Sequence, residues 1–277
     1  MTREITIATV QMKPELGNSE NNLVKMSETV SKIASQQKVD LIVFPELATS
    51  GYELGVKFTE IAQRVPGPAI NLMSQRAADA GVYIAFGLPT KEKVESILFN
   101  SAALVGPEGD LVGHYNKAHL RGEERMAFRE GFKYPVFQTE IGKIGLIVGW
   151  DLAFPEVARA LALEGAELLV VVANWEESGM DEWRTYARAR AMENSVFVAA
   201  ANRVGEDVTL AFGGGSLIVG PRGTVISELT PDPETKKATD GFCVARIDLD
   251  EVRKYREEFQ QLQTRQPTTY KALVKRY

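Results

Sequence analysis

"KVDLIVFPEL" (residues 38–47) and "GAELLVVVANW" (residues 165–175) decide the fold. Each follows an amphipathic segment, passes through a small acidic turn and becomes wholly apolar. Apolar runs of this kind, without polar alternation, read as strands covered on both faces. Two helix–strand units related in this way point to two sheets facing each other with helices outside. That is an α/β arrangement.

The rest of the chain extends the pattern. Strand-like runs fall at 5–11, 40–45, 83–88, 101–105, 144–148, 168–173, 196–201, 214–219 and 241–247, and helical periodicity at 21–36, 69–80, 155–164, 181–194 and 248–255. "GPEGDL" (106–111) and "GPRGTV" (220–225) pair Pro with Gly between strand-like flanks and read as turns. No Pro/Gly/Ser-rich linker interrupts the alternation, so a single domain over residues 1–277 is expected.

Composition excludes several functions. The formal net charge of 277 residues is −5, and no run of Lys or Arg could neutralise a phosphate backbone, so nucleic acid is not an expected partner. The longest apolar stretches, 41–44 and 168–173, fall far short of the ~20 residues a membrane helix needs. "MTREITIATVQM" enters a strand pattern directly, with no leader signature, so a cytoplasmic location is expected. One cysteine, Cys243, and two histidines, His114 and His119, leave no material for a disulfide or a Cys- or His-based metal site. No cofactor is implied.

Three stretches carry candidate chemistry. In "LIVFPEL", Pro45 prevents the strand from continuing regularly, so Glu46 emerges where the backbone turns. A carboxylate there suits a general base, and equally a loop cap. "GHYNKAHLRGEERMAFREG" offers Lys117 and, seven residues later, Glu124. In "GLIVGWDLAFPE" (145–156) a strand feeds a tight corner and Pro155 opens a helix, the setting in which nucleophile elbows are built.

Together, and in this order, the three stretches resemble the carbon–nitrogen hydrolase family, the nitrilase superfamily. "FPEL" is similar to the family's Glu motif, "YNKAHL" to its Lys motif and "VGWDLAFPE" to its Cys motif. "EERMAFREG" resembles the segment bearing an additional active-site glutamate, here Glu124. "RARAMENSVFVAAANRVG", "FGGGSLIVGPRGTV" and "RQPTTY" resemble signatures of the family's second half, so the likeness covers nearly the whole chain. It implies an α-β-β-α sandwich paired across subunits, hence a homodimer or larger homo-oligomer. It also implies hydrolysis of a small-molecule amide or nitrile: Glu takes a thiol proton, thiolate attacks, Lys stabilises the oxyanion and water cleaves the acyl-enzyme.

One position departs from that pattern. Gly149 falls where the family carries its cysteine, so the chain as given is expected to lack the nucleophile and to be inactive in thiol chemistry. Cys243, in the late strand "DGFCVARIDLD", reads as a small buried hydrophobe. Three accounts of Gly149 stand side by side: an inactivated variant of an amidase or N-carbamoyl hydrolase, a natural non-hydrolytic relative that binds a small ligand or partner, or a site in which Glu46 and Lys117 run a different reaction. By analogy with family positions, Tyr52, Trp150, Asp151 and Trp175 are expected at the substrate. Tyr52 and Trp175 suit a core or dimer contact as well.

Overall fold

The computed structural model describes residues 3–93 and 97–275. The chain opens with β1 (Glu4–Gln11) and α1 (Ser19–Gln36), whose first turn is capped by the Asn18 side chain accepting from the Asn21 N–H. β2 (Leu41–Val43), α2 (Phe58–Ile61), α3 (Pro68–Ala80), β3 (Tyr83–Lys91), β4 (Leu98–Val105), β5 (Leu111–Asn116) and α4 (Glu124–Ala127) follow. α3 begins on a proline and stops at Gly81, whose φ of 65° is readily available only to glycine.

The second half runs β6 (Val136–Thr139), β7 (Gly142–Val148), α5 (Pro155–Leu163), β8 (Leu168–Ala173), α6 (Met180–Asn194) and β9 (Phe197–Asn202). Then come β10 (Val204–Glu206), β11 (Ala211–Gly213), β12 (Leu217–Val219), β13 (Val225–Glu228), β14 (Gly241–Asp248) and α7 (Asp250–Phe259).

Among the described residues the strands form two six-stranded sheets, ordered β14-β1-β2-β3-β4-β5 and β13-β12-β9-β8-β7-β6, with β10 and β11 paired apart. β1, β2 and β3 run parallel, as do β7, β8 and β9, and the outer strands of both sheets are antiparallel. The two sheets pack on one another through Ile7, Val43, Tyr115, Leu146, Val170 and Ala199. On the outer face of the first sheet, Met26, Ile33 and Ile70 of the helices cover Ile42 and Phe86. Leu161 and Trp183 do the same for Ile147 and Val171 of the second. The layers are therefore α-β-β-α, as the two apolar runs imply: β2 and β8 have no exposed face and hence no polar positions.

Several strands lack a clear sequence signal. β5 reads "LVGHYN", half-buried with Gly and His breaking any alternation, and β6, β10, β11 and β13 are only three or four residues long. The run at 214–219 shortens to β12 because Gly214 and Gly215 turn through φ 66°. The run at 40–45 shortens to β2. No described helix is long and apolar enough to cross a membrane.

The parallel strands β2 and β8 belong to opposite sheets, and the segments that follow them meet across the seam. Crevices beyond the carboxyl ends of parallel strands are where α/β folds place their chemistry.

Candidate active site

Glu46 lies three residues beyond β2. Leu47, next to it, is buried with φ 45°, a left-handed conformation costly for a branched side chain, and its carbonyl accepts from the N–H groups of Ser50 and Gly51. This reversal turns the glutamate inward instead of letting the strand run on. Gly87 of β3 makes the turn possible, because a Cβ there would collide with the Glu46 and Leu47 backbone.

Lys117 follows β5, anchored by its N–H donating to the Asn100 carbonyl (2.8 Å) and by its carbonyl accepting from Gly131 (2.8 Å). Glu124 opens α4, and one of its oxygens accepts from the Arg121 N–H (3.0 Å). Glu46, Lys117 and Glu124 are 1%, 2% and 5% exposed, respectively. The Lys117 ammonium donates at 2.8 Å to Glu46 Oε1 and to both oxygens of Glu124. The Asn100 Nδ2 ties the same carboxylates together at 2.6 and 2.7 Å, and the Asn174 backbone N–H donates to Glu46 Oε2 at 2.8 Å.

The electrostatics follow from this burial. Desolvation raises the proton affinity of Glu46, and the nearby negative charge of Glu124 adds to it, against the lowering effect of Lys117. For Lys117, burial works against the charge, but Glu124 and Glu46 outweigh it and hold the ammonium above the usual lysine range. The site therefore keeps a fixed cation beside a carboxyl poised to exchange protons.

Gly149 follows β7 directly and has φ 44°, at the corner of a short 3₁₀ turn that leads into α5. A Cβ built on it would crowd Glu46 Oε2 well inside contact distance and stand 3.0 Å from Glu46 Cδ. The corner and the Glu–Lys–Glu cluster thus share one space. Trp150 stacks on the Arg121 guanidinium, 4.7 Å from ring centroid to Cζ, and lies 5.6 Å from the Trp175 ring. Asp151 is placed differently. It is fully buried beneath the corner, where it accepts from the Tyr115 hydroxyl (2.7 Å) and the His119 N–H (2.8 Å), with His119 Nδ1 at 2.8 Å. The His119 ring in turn stacks on Phe154 at 3.7 Å. Asp151 pins the Lys117 loop to the corner.

A chamber of about 20 Å³ is enclosed by Glu46, Tyr52, Lys117, Arg121, Glu124, Trp150, Asn174, Trp175 and Glu176. An outer cavity of about 320 Å³, walled by Phe58, Phe128 and Leu210 among others, shares Tyr52, Arg121, Glu124 and Glu176 with it. Arg121 and Glu176 pair at 3.3 Å where the two spaces meet. Tyr52 is held there by its N–H donating to Asp207, which is itself locked to the buried Arg203 at 2.7 Å. Of the residues expected at substrate, Tyr52, Trp150 and Trp175 line the chamber and Asp151 does not. Asn100 and Asn174 had no sequence signal beyond being asparagines beside apolar strands. Among the described residues no cluster of three or more His, Cys, Asp or Glu side chains could hold a metal ion.

Residues 6–257 match the family model described as carbon-nitrogen hydrolase, and the chain belongs to that family. It is 43% identical to a probable nitrilase of Schizosaccharomyces pombe, over 97% of this chain and 98% of that one. It is 39% identical to a nitrilase of Pyrococcus abyssi, over 91% and 93% of the two chains. Among solved structures, a variant of the amidase from Nesterenkonia sp. AN1, bearing the acetamide moiety of fluoroacetamide on its active-site cysteine, superposes with a TM-score of 0.84. That protein is 26% identical, and the match covers 98% of this chain and 97% of that one.

Proposed function

We propose that this is the site of an amide-type C–N hydrolase, for carboxamide or N-carbamoyl substrates, in which Gly149 occupies the nucleophile's position. The observation that carries the reading is the buried Lys117 ammonium, 2.8 Å from both the Glu46 and Glu124 carboxylates, directly beside the corner at Gly149. In this reading a thiol at 149 would pass its proton to Glu46, whose proton affinity, raised by burial, suits it to accept that proton. The thiolate would attack the carbonyl carbon. Lys117 would meet the oxyanion, the amine or ammonia would leave with a proton returned from Glu46, and water would hydrolyse the thioester. Glu124 holds Lys117 and orients the substrate. Tyr52, Trp150 and Trp175 form the walls. With glycine at 149 the chain binds and does not turn over. The test is Gly149→Cys assayed for ammonia release on short amides, N-carbamoyl compounds and nitriles, with mass spectrometry for an acyl adduct on residue 149. A folded variant with neither turnover nor adduct would overturn the reading.

A second reading, of a natural non-hydrolytic relative that binds its ligand without cleavage, is favoured by one observation. The positive φ of Gly149 and the Glu46 carboxylate beside it suit glycine better than any L-residue. Pairing of subunits, implied by the family resemblance, belongs to both readings and is checked by analytical ultracentrifugation.

A further inference from the structure

Asn174 is the residue after β8. Its backbone N–H is committed to Glu46, yet its side-chain Oδ1 and Nδ2, both closed off from solvent, have no hydrogen-bond partner among the described residues. An unpaired buried amide is costly, and such groups persist where something outside the chain completes them. Asn174 lines the chamber together with Glu46, Lys117 and Glu124. In those three, the polar atoms facing one another are already bonded, whereas Asn174 offers one free donor and one free acceptor on a single planar group.

The chemical complement of that group is another planar unit with a carbonyl acceptor and an N–H donor side by side. We infer that the Asn174 side chain recognises a carboxamide or terminal ureido group, donating from Nδ2 to its carbonyl oxygen and accepting its N–H at Oδ1, and so sets a preference for amides over nitriles. A nitrile has an acceptor and no donor, and would leave Oδ1 unpaired. The chamber, about 20 Å³, shares its lining with the outer cavity of about 320 Å³, where the remainder of the molecule would lie. This inference rests on the reading of the site given under Proposed function and narrows its substrate class.

The chain as it stands, without a thiol at 149, allows binding to be measured apart from turnover. Butyramide and butyronitrile are titrated by ligand-observed NMR against the parent, Asn174→Ala and Asn174→Leu. The parent is expected to bind butyramide more tightly than butyronitrile. Each variant should weaken butyramide by about tenfold or more, the worth of two neutral hydrogen bonds, and leave butyronitrile within about threefold. A purely structural role would weaken both ligands alike, and that outcome overturns the proposal. So does unchanged butyramide affinity, which would mean that water alone completes Asn174. Should neither variant fold, the order of the two ligands on the parent decides, and a nitrile preference overturns the proposal. Failure of Gly149→Cys to turn over amides, with the amide preference intact, would count against the hydrolase reading and not against Asn174.

Discussion

The carboxylate of Glu46 fills the space that a side chain on Gly149 would enter. The two residues come from opposite sheets, and each stands beside or within a left-handed turn, Leu47 at φ 45° and Gly149 at φ 44°. Adding a Cβ at 149 therefore costs in two ways, through the backbone conformation and through displacement of Glu46 from its bond with the Asn174 N–H.

Gly149→Cys is expected to lower unfolding free energy by about 1–3 kcal/mol, from the left-handed backbone and the shift of Glu46 together. Gly149→Ala should lose a similar amount. Only the cysteine variant should release ammonia, and the parent should show none above background. Urea denaturation with an ammonia assay checks both halves; a parent whose turnover vanishes on Glu46→Ala would establish a different chemistry.

The raised proton affinity of Glu46 makes stability depend on pH in a definite direction. Because the folded state binds this proton more tightly than the unfolded chain, the associated stability is fully present below the ordinary glutamate pKa. It is lost as pH rises through the raised folded value. Glu46→Gln is neutral at every pH and escapes that loss. The variant should therefore gain on the parent as pH rises above the ordinary glutamate pKa of about 4, read in denaturation experiments. A difference that stays flat, or runs the other way, would show that Lys117 dominates Glu46 instead of burial.

Lys117→Met leaves two buried carboxylates facing each other without their cation. Breaking a buried pair from one side costs about 3–5 kcal/mol. The melting temperature should fall accordingly. A loss below about 1 kcal/mol would mean that the cluster is solvated in solution.

Asp151→Asn tests a residue that the resemblance places at substrate and the structure places under the corner. The aspartate accepts from Tyr115 and His119, and an amide cannot satisfy both sides, so about 1–3 kcal/mol of stability should go. Butyramide affinity should respond far less than to Asn174→Ala. The opposite ranking would return Asp151 to the substrate.

Glu46 and the corner at Gly149 were legible through local causes, since Pro45 turns the chain at Glu46 and Pro155 marks the corner after Gly149, whereas Lys117 and Glu124, in a polar stretch with no such cause, came only from the family resemblance. Asn100 and Asn174 were silent, since an asparagine at the end of an apolar run looks the same whether it faces solvent or holds a carboxylate. The requirement for glycine at 87 was equally invisible, because what crowds it is the Glu46 backbone, some forty residues earlier, on a neighbouring stretch. The two buried strands betrayed the sandwich through their lack of polar positions. β5 did not, since a half-buried strand with Gly113 and His114 in its middle has neither of the usual signatures.

The pairing of β1 with β14 has a consequence in time. Thr9 and Cys243 are neighbours in that ladder although 234 residues separate them. During synthesis β1 can find β2 early, but its other edge must wait until every strand of the second sheet has been made. Closing so long a loop is entropically expensive and slow. Until then β1 presents an unpaired backbone edge, the kind of surface on which nascent chains associate wrongly and holding chaperones act.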